Sequence, residues 1–417
     1  MLTWEEARTK VIRGVEPLPP RRMAMENAVG LSLAENLIAL ESMPPFDNSA
    51  MDGFAVRAAD IESASEDHPV RLEVIAERPA GTATPILVES GQAVRIMTGA
   101  PVPDGADTVV MVESTNFWNP EAHRARPATD DDHHEVEIRK APAPGANVRR
   151  TGESVEAGAV FLEAGTRIGG PEIGLSLSVG VIEVAVHPLP RVAVLSTGDE
   201  LVPPGSTPGP GQIRDSNRPS LLATLGQYGF PTLDLGLAAD DPTVLESRIR
   251  RGADEADFLI TSGGVSVGDA DLTREVLARM GEVESYRVAV KPGKPQLFGH
   301  IGSTPVFGLP GNPVSSLVVF DVFVLPALRK MAGRRTLFQP LFNASLGAPL
   351  SRKSGRLEFM RMRVHAEDGI WIAESTGPQG SGVLSSMTNA NAYAILPPHT
   401  DRLDAGSSVL CMFRGTD

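Results

Sequence analysis

Apolar runs alternate with amphipathic segments between residues 191 and 331. The runs have the length and the uninterrupted apolar character of strands buried on both faces, and the segments between them carry apolar residues at helical spacing. This alternation predicts a doubly wound α/β domain. The predicted strands are Arg191–Ser196, Thr232–Gly236, Phe258–Ser262 and Thr304–Leu309, and the predicted helices are Pro219–Tyr228, Pro242–Arg251, Leu272–Met280 and Pro313–Met331.

Two further helices are predicted near the N-terminus. Thr3 and Glu6 have the spacing of a capping box, which places the first helix at Thr3–Gly14. The second helix is predicted at Glu26–Leu40, ahead of the helix-breaking pair Pro44–Pro45.

Short alternating segments bounded by turn residues fill much of the remaining chain and favour β structure. One such stretch follows the N-terminal helices, and another, from Leu337 to Asp417, is predicted to form a compact β barrel or sandwich. The chain is therefore predicted to be a multidomain α/β plus β protein. The predicted units are 1–44 together with 145–186, 45–144, 187–333 and 336–417.

Charge and cysteine content exclude several classes of protein. The 417 residues include 38 lysines and arginines against 52 aspartates and glutamates, a net charge of −14, which argues against binding along a nucleic-acid backbone. The single cysteine, Cys411, allows no internal disulfide. No apolar stretch is long enough to span a membrane, and the N-terminus lacks the pattern of a signal peptide, so a cytoplasmic location is expected.

Three loops that follow predicted strands are rich in glycine and polar residues, namely 196–200, 261–271 and 308–316. In an open α/β sheet, ligands bind outside the carboxyl ends of the strands. Glycine lets backbone N–H groups approach an anion closely, and Asn312 and Pro313 suit the start of a helix, whose N-terminus favours negative charge. The loops predict a phosphate or nucleotide site, with ordinary tight turns as the alternative.

Two lysines flank a Pro-Gly turn at the end of a strand. Lys291 and Lys294, with Arg287 four residues before Lys291, can face one concave point. In an acidic protein this arrangement favours a clamp for phosphate or another oxyanion. A solvated turn is the alternative.

Several carboxylates are predicted beside these loops. Asp241 is the better placed of two adjacent acids to cap a helix, which leaves Asp240 less well explained by structure. Asp271 has two interpretations, a helix cap or a functional acid, while Glu200 follows a strand and Asp215 precedes a helix. Because Mg²⁺ shares its coordination between protein oxygens, phosphate and water, these acids favour a Mg²⁺ site. The residues alone thus support a phosphate- and Mg²⁺-dependent site between domains.

Six long motifs, in order along nearly the whole chain, resemble the molybdopterin molybdenumtransferases, the molybdenum insertases of cofactor synthesis. They are Pro45–Val56, Arg95–Pro101, Thr197–Leu201, Ser262–Asp271, Lys291–Pro295 and Gly308–Ser315. The resemblance implies a homodimer of elongated, L-shaped subunits with four domains each. In it, 1–44 and 145–186 form the dimerisation domain, 45–144 an inserted β domain, 187–333 a molybdopterin-binding α/β domain and 336–417 a β barrel.

The resemblance also implies a reaction, in which adenylylated molybdopterin and molybdate give molybdenum cofactor and AMP. Mg²⁺ is the expected cofactor. The expected partners are these substrates and a second copy of the chain, with transient contacts to the adenylyltransferase of the preceding step and to molybdoenzymes. Neither nucleic acid nor a membrane is expected.

Carried over residue by residue, the functional acids of the family fall on Asp52, Glu200, Asp240 and Asp271. The resemblance implies Asp240 and Asp271 around the metal and the nucleotide phosphates, Glu200 near the pterin, and Asp52 reaching in from the partner subunit. The expected substrate-binding residues are Thr98, Lys291, Lys294, Arg356, Ser381 and Asp215.

Two positions depart from the family pattern. Arg287 stands where many members have lysine, which keeps the charge and changes the geometry. Ser154 stands where members often have aspartate, so this position is not expected to be functional, and Glu153 is only a weak substitute.

Three alternative functions are weighed against the insertase. The adenylyltransferase of the preceding step shares the α/β fold, but the additional N-terminal domains argue against it. A scaffold would bind protein partners without molybdate-dependent turnover. A carrier would bind finished cofactor in stoichiometric amount and release no AMP.

Overall fold

The computed structural model describes residues 1–82, 84–119, 124–125, 134–264, 272–353 and 355–415. These residues form two compact units. The first contains 1–35, 164–169 and 184–417, and the second contains 36–163 and 170–183. The finer division into four domains stays a prediction.

A six-stranded sheet lies at the centre of the first unit. In spatial order its strands are Thr232–Ala238, Val192–Thr197, Phe258–Ser262, Thr304–Leu309, Pro295–Ile301 and Glu282–Arg287. The first four are parallel and the last two antiparallel to their neighbours. The α/β prediction is confirmed for the parallel strands. The strands Pro295–Ile301 and Glu282–Arg287 were not predicted. The residues of Glu282–Arg287 are mostly exposed and form no apolar run.

Helices cover both faces of this sheet. Val192 and Val194 pack in one apolar cluster with the helix Asn217–Gln227, whereas Ala193 and Leu195 pack in another with the helix Pro242–Glu255. No helix in the described ranges is long and apolar enough to cross a membrane. The other main helices of this unit are Trp4–Arg13, Leu272–Met280 and a continuous helix over 313–331, in which Phe320–Val324 is a π-helical turn.

Local signals located the first helix correctly, but the second predicted helix is wrong. Thr3 and Glu6 form the predicted capping box. Within Glu26–Leu40, by contrast, the chain forms a 3₁₀ turn and then short strands, of which Ser32–Leu33 pairs with Glu183–His187. Pairing with a strand distant in sequence therefore outweighs the local helical spacing.

The C-terminal part of the first unit is a closed five-stranded barrel, which confirms one of the two predicted architectures. Because the last strand pairs back with the first, the barrel has no free edge. A short strand, Val290–Lys291, joins the barrel alongside Leu357–Glu367. The barrel strands in order of pairing are Leu357–Glu367, Ile370–Ser375, Leu341–Leu346, Ser408–Phe413 and Ala392–Leu396.

A five-stranded sheet forms the core of the second unit. Its order is Glu135–Ile138, Val70–Arg78, Gln92–Ile96, Gly53–Val56 and Thr108–Met111. Among the described residues of this unit there are also short ribbons, the 3₁₀ turn Val112–Ser114 and two α-helices. The ribbons are Leu37–Ile38 with Val160–Leu162, Asn48–Ser49 with Val148–Arg149, and Trp118–Asn119 with Arg124–Ala125, and the helices are Ala58–Ile61 and Gly170–Ser178.

Asp321 is a buried carboxyl group in the π-helical turn. Its Oδ2 accepts a hydrogen bond from the Tyr393 hydroxyl at 2.7 Å and lies 3.6 Å from Nε of Arg414. Burial raises the pKa of Asp321 to about 6, although Arg414 and the hydrogen bond from Tyr393 oppose the rise.

We predict that Asp321→Asn gains stability relative to the native protein as the pH rises. The folded protein holds the Asp321 proton up to about pH 6, whereas the unfolded chain releases it near 3.8, so the native free energy of unfolding falls across that interval. Urea unfolding at about pH 4 and about pH 7.5 measures the difference. Asp67→Asn, at an exposed position, is the control. A stability difference between Asp321→Asn and native protein that is the same at both pH values would contradict the raised pKa.

Candidate functional site

A cleft of about 340 Å³ opens at the carboxyl ends of the strands Val192–Thr197 and Phe258–Ser262. In the sheet, Thr232–Ala238 lies on one side of Val192–Thr197, and Phe258–Ser262 lies on the other. Such a switch point is where open α/β sheets bind ligands. The cleft is bordered by parts of all three predicted loops, and the lining residues that matter below are Thr197, Glu200, Asp215, Asn217, Ser262 and Gly311.

Asn217 ties two walls of the cleft together. Its Nδ2 donates to Oγ of Ser262 at 2.8 Å and to the carbonyl of Gly311 at 2.7 Å. Its Oδ1 is buried and has no hydrogen-bond partner among the described residues. Because an unsatisfied buried acceptor costs about 1–3 kcal/mol, a ligand with an N–H or O–H group would be favoured here. The sequence analysis did not single out Asn217, which lies two residues after the predicted Asp215.

Asp215 is buried in the wall of the cleft. Its Oδ1 accepts a hydrogen bond from Oγ of Ser196 at 2.9 Å, and its Oδ2 accepts one from Nε of Arg218 at 2.9 Å. Both carboxylate oxygens are therefore engaged by protein groups. The structure gives Asp215 a role in holding the wall, and its contact with substrate stays a prediction.

Two predicted acids, Glu200 and Asp240, lie on loops that are hydrogen bonded to each other. The N–H of Asp240 donates to Oδ1 of Asp199 at 3.0 Å. Glu200 lines the cleft, and its carboxylate folds over Gly198, where an added Cβ would lie 2.5 Å from Oε2. Asp241 caps the following helix, as predicted. Asp199 was missed, although it stands directly before Glu200.

Asp271 lies outside the described residues, together with 265–270 of the same loop. Its assignment as a catalytic acid and metal ligand stays a prediction. Within the part of the chain that is described, no three His, Cys, Asp or Glu side chains form a group that could hold a metal ion. Among the described residues, the acids that line the cleft are Glu200 and Asp215, and Asp199 and Asp240 are hydrogen bonded to each other beside Glu200.

The barrel loop that contains Ser381 lies beside the cleft. The N–H of Val314, in the first turn of the helix that starts at Pro313, donates to the carbonyl of Ser381 at 3.2 Å. Arg361, which is fully buried, holds the same loop by donating to the carbonyl of Gly380 at 3.1 Å. Asn312 occupies the predicted N-cap position, but its side chain makes no capping hydrogen bond.

The two predicted lysines have different surroundings. Nζ of Lys291 lies 2.9 Å from Oε1 of Glu358, a fully buried carboxylate whose Oε2 accepts a hydrogen bond from Arg352 at 3.1 Å. Nη1 of Arg356 donates to the carbonyl of the residue before Lys291 at 2.8 Å. Lys294 is exposed. The structure thus brings Lys291 and Arg356 together, and it adds Glu358, which the sequence analysis did not single out.

Asp52 and Thr98 are in contact within the second unit. The N–H and the hydroxyl of Thr98 both donate to Oδ1 of Asp52, at 2.7 and 2.8 Å. Antiparallel pairing of Gly53 with Ile96 brings the two segments side by side. The structure therefore joins two residues that the sequence analysis had related only through a family resemblance.

The two departures from the family pattern are at structurally ordinary positions. Arg287 ends an edge strand and is exposed. The N–H of Ser154 donates a hydrogen bond to the carbonyl of Met43 at 3.0 Å. The N–H of Arg150 donates one to Oε2 of Glu153 at 2.9 Å. Nearby, hydrogen bonds from Thr151 and Arg150 lower the pKa of the Asp47 carboxyl.

Three family models match the chain in succession. The model described as the MoeA N-terminal region (domain I and II) matches residues 2–180. The model described as a probable molybdopterin binding domain matches residues 193–330, and the one described as the MoeA C-terminal region (domain IV) matches residues 343–413.

Individual relatives match over nearly the full length. A Haemophilus influenzae protein named molybdopterin molybdenumtransferase is 36% identical over 412 residues, which cover 98% of each chain. A Mycobacterium tuberculosis protein named molybdopterin molybdenumtransferase 2 is 38% identical over 396 residues, 94% of each chain.

Two crystal structures of a Pyrococcus horikoshii molybdopterin biosynthesis MoeA protein are also similar. One has a TM-score of 0.78 at 33% identity and covers 100% of both chains. The other has a TM-score of 0.83 at 28% identity and covers 99% of this chain and 100% of that one. These matches confirm the predicted multidomain fold.

Proposed function

Because this chain belongs to the molybdopterin molybdenumtransferase family, a family of transferases, we propose that it inserts molybdenum from molybdate into adenylylated molybdopterin and releases AMP. The insertion of molybdenum during cofactor synthesis is supported by the full-length relatives that carry this name. The adenylylated form of the substrate and the Mg²⁺-dependent release of AMP are the finer parts of the proposal. The observation that supports these finer parts is the cleft at the switch point of the sheet.

The walls of the cleft suit a flat ring with hydrogen-bond donors. A pterin ring carries N–H groups, and the buried Oδ1 of Asn217 lacks a donor. Gly263 and Gly311 approach each other here, since a Cβ added to Gly311 would lie 3.8 Å from Cα of Gly263. A Cβ added to Gly263 would lie 2.4 Å from the carbonyl oxygen of Thr197, so the loop can follow this path only with glycine at position 263.

The lysine turn suits the negative charge of the substrates. Lys291 is held by the buried Glu358 and yet keeps 41% of its side chain exposed. A cation that is already fixed in place can stabilise charge that develops during reaction without first being ordered. In our proposal Lys291, Lys294 and Arg356 bind molybdate or phosphate oxygens, together with Ser381, whose carbonyl accepts the N–H of Val314.

In our proposal Mg²⁺ binds beside the cleft. The described acids do not by themselves form a complete group of metal ligands, but Mg²⁺ needs few protein oxygens because phosphate and water complete its coordination. Glu200 lines the cleft, and Asp240 is hydrogen bonded to Asp199, the residue before Glu200. Asp240 and Asp271 would hold the ion, as the family pattern implies. When bound, Mg²⁺ would offset phosphate charge.

The pair of Asp52 and Thr98 is proposed to complete the site of a second copy in a homodimer. Both donors of Thr98 converge on Oδ1 of Asp52, and within the described residues Oδ2 has no hydrogen-bond partner. That oxygen is available to a ligand. Transient contacts with the adenylyltransferase that supplies the substrate, and with molybdoenzymes that receive the product, belong to the same proposal.

We predict that AMP is released from adenylylated molybdopterin only when molybdate and Mg²⁺ are both present. Glu200→Gln and Asp240→Asn should each lower turnover by about 100-fold, because each removes a charge proposed to act at the reacting groups. Asp254→Asn, which neutralises an exposed acid of the same domain outside the cleft, should turn over normally. AMP is quantified by chromatography. Ligand binding without any AMP would contradict the insertase and favour a carrier or a scaffold.

We further predict that two inactive variants restore activity when mixed. If Asp52 acts in the site of the partner subunit, a mixed dimer of Asp52→Ala and Glu200→Gln subunits contains one intact site. Random exchange should therefore recover about a quarter of native turnover. Subunit exchange is verified separately with differently tagged subunits. Exchange without recovery would show that Asp52 does not act across the dimer.

A further inference from the structure

A second pocket, of about 400 Å³, is lined by four arginines and by no acidic residue. We call it the arginine pocket, and its arginines are Arg167, Arg329, Arg334 and Arg335. It lies in the first unit and shares no lining residue with the cleft. In a chain with a net charge of −14, four cations around one cavity need a specific explanation.

The end of the helix that starts at Pro313 places two of these arginines side by side. The N–H of Gly333 donates to the carbonyl of Lys330 at 2.8 Å, and the N–H of Arg334 donates to the carbonyl of Arg329 at 2.9 Å. With Gly333 at a φ of +66°, this is a Schellman motif. The motif turns the chain back so that Arg334 returns to Arg329.

A second close contact brings the remaining segment to the pocket. The N–H of Arg335 donates to the carbonyl of Gly165 at 3.2 Å. Gly165 has a φ of +80°, and an added Cβ would lie only 3.0 Å from Cβ of Arg335. A residue with a side chain would be strained at this position. Gly165 therefore lets the backbone that carries Arg167 approach the end of the helix.

Two of the guanidinium groups, those of Arg329 and Arg334, lie against aromatic rings. Arg334 lies 5.7 Å from the ring centroid of Phe230, and Arg329 lies 5.8 Å from that of Tyr228. Nε of both arginines is buried without a hydrogen-bond partner among the described residues. Within the same part of the chain, the Arg334 guanidinium has neither an ion-pair partner nor a hydrogen-bond acceptor.

The arginines of the cluster also affect one another's ionisation. Burial lowers the pKa of Arg334 to about 10, and the charges of Arg167 and Arg329 add to the effect. Burial also lowers the pKa of Arg329, although Tyr228 and Asp321 oppose it. Stacking on aromatic rings explains Arg329 and Arg334 one by one. It does not explain why Arg167 is brought beside them.

We propose that the arginine pocket binds a small ligand through a phosphate or diphosphate group. Planar guanidinium groups donate paired N–H···O bonds to phosphate oxygens, and the charge of such a group would offset the repulsion among the arginines. The cavity is larger than a single phosphate, which leaves room for the rest of a small phosphorylated molecule. This proposal does not depend on the reaction proposed for the cleft.

The test is calorimetric titration of the full-length protein with inorganic pyrophosphate at low ionic strength. Arg334→Gln should weaken one binding component by about tenfold or more, because it removes a paired donor as well as a charge. Arg363→Gln, at an exposed arginine of the barrel, is the matched control and should bind as the native protein does. Lys291→Gln should retain the same component, which separates it from phosphate binding in the cleft.

A second variant covers the case in which Arg334→Gln does not fold. Arg167 is exposed, so Arg167→Gln weakens the same site without disturbing a buried group. Equal binding of pyrophosphate by native protein and both variants would overturn the proposal. The proposal would also be overturned if sedimentation showed that the variants no longer form a dimer while their pyrophosphate binding is unchanged. The arginines would then serve a contact between two copies of the chain. Absence of AMP release in the turnover assay would count against the proposed reaction and not against this site.

Discussion

The parallel pairing of Val192–Thr197 with Phe258–Ser262 is the constraint on which the rest of the site depends. Every residue of both strands is buried, and successive side chains alternate between two layers of helices. Because the chain connections leave this pair in opposite directions, the loops diverge and a cleft remains between them. Gly263 preserves it: its φ is +97°, and an added Cβ would lie 2.4 Å from the carbonyl oxygen of Thr197.

Buried charge is handled in two opposite ways in this acidic chain. Glu358 has no exposed surface, but Lys291 and Arg352 each contact one of its oxygens, so its charge is balanced within the fold. Arg334 is partly buried with other arginines around it and no described carboxylate in contact. The first arrangement fixes the position of Lys291. The second leaves Arg334 facing the arginine pocket, where we propose that a phosphate group binds.

The sequence predicted those features that neighbouring residues determine. Phe258–Ser262 was predicted with the right bounds because a buried parallel strand is an uninterrupted apolar run, and Asp241 because a helix cap is a local signal. The edge strand Glu282–Arg287 was missed because it pairs on one side only and stays mostly exposed. Asn217 and Glu358 were missed because their partners are distant in sequence. The contact of Asp52 with Thr98 spans 46 residues, so only the resemblance had suggested that both matter.

The most direct test of the account is a crystal structure of the protein with adenylylated molybdopterin bound. We expect the pterin in the cleft, with a ring N–H within hydrogen-bond distance of Oδ1 of Asn217, and the phosphates towards the loops that carry Glu200 and Asp240. A pterin bound elsewhere, with Oδ1 of Asn217 still lacking a donor, would contradict the assignment of the cleft as the substrate site.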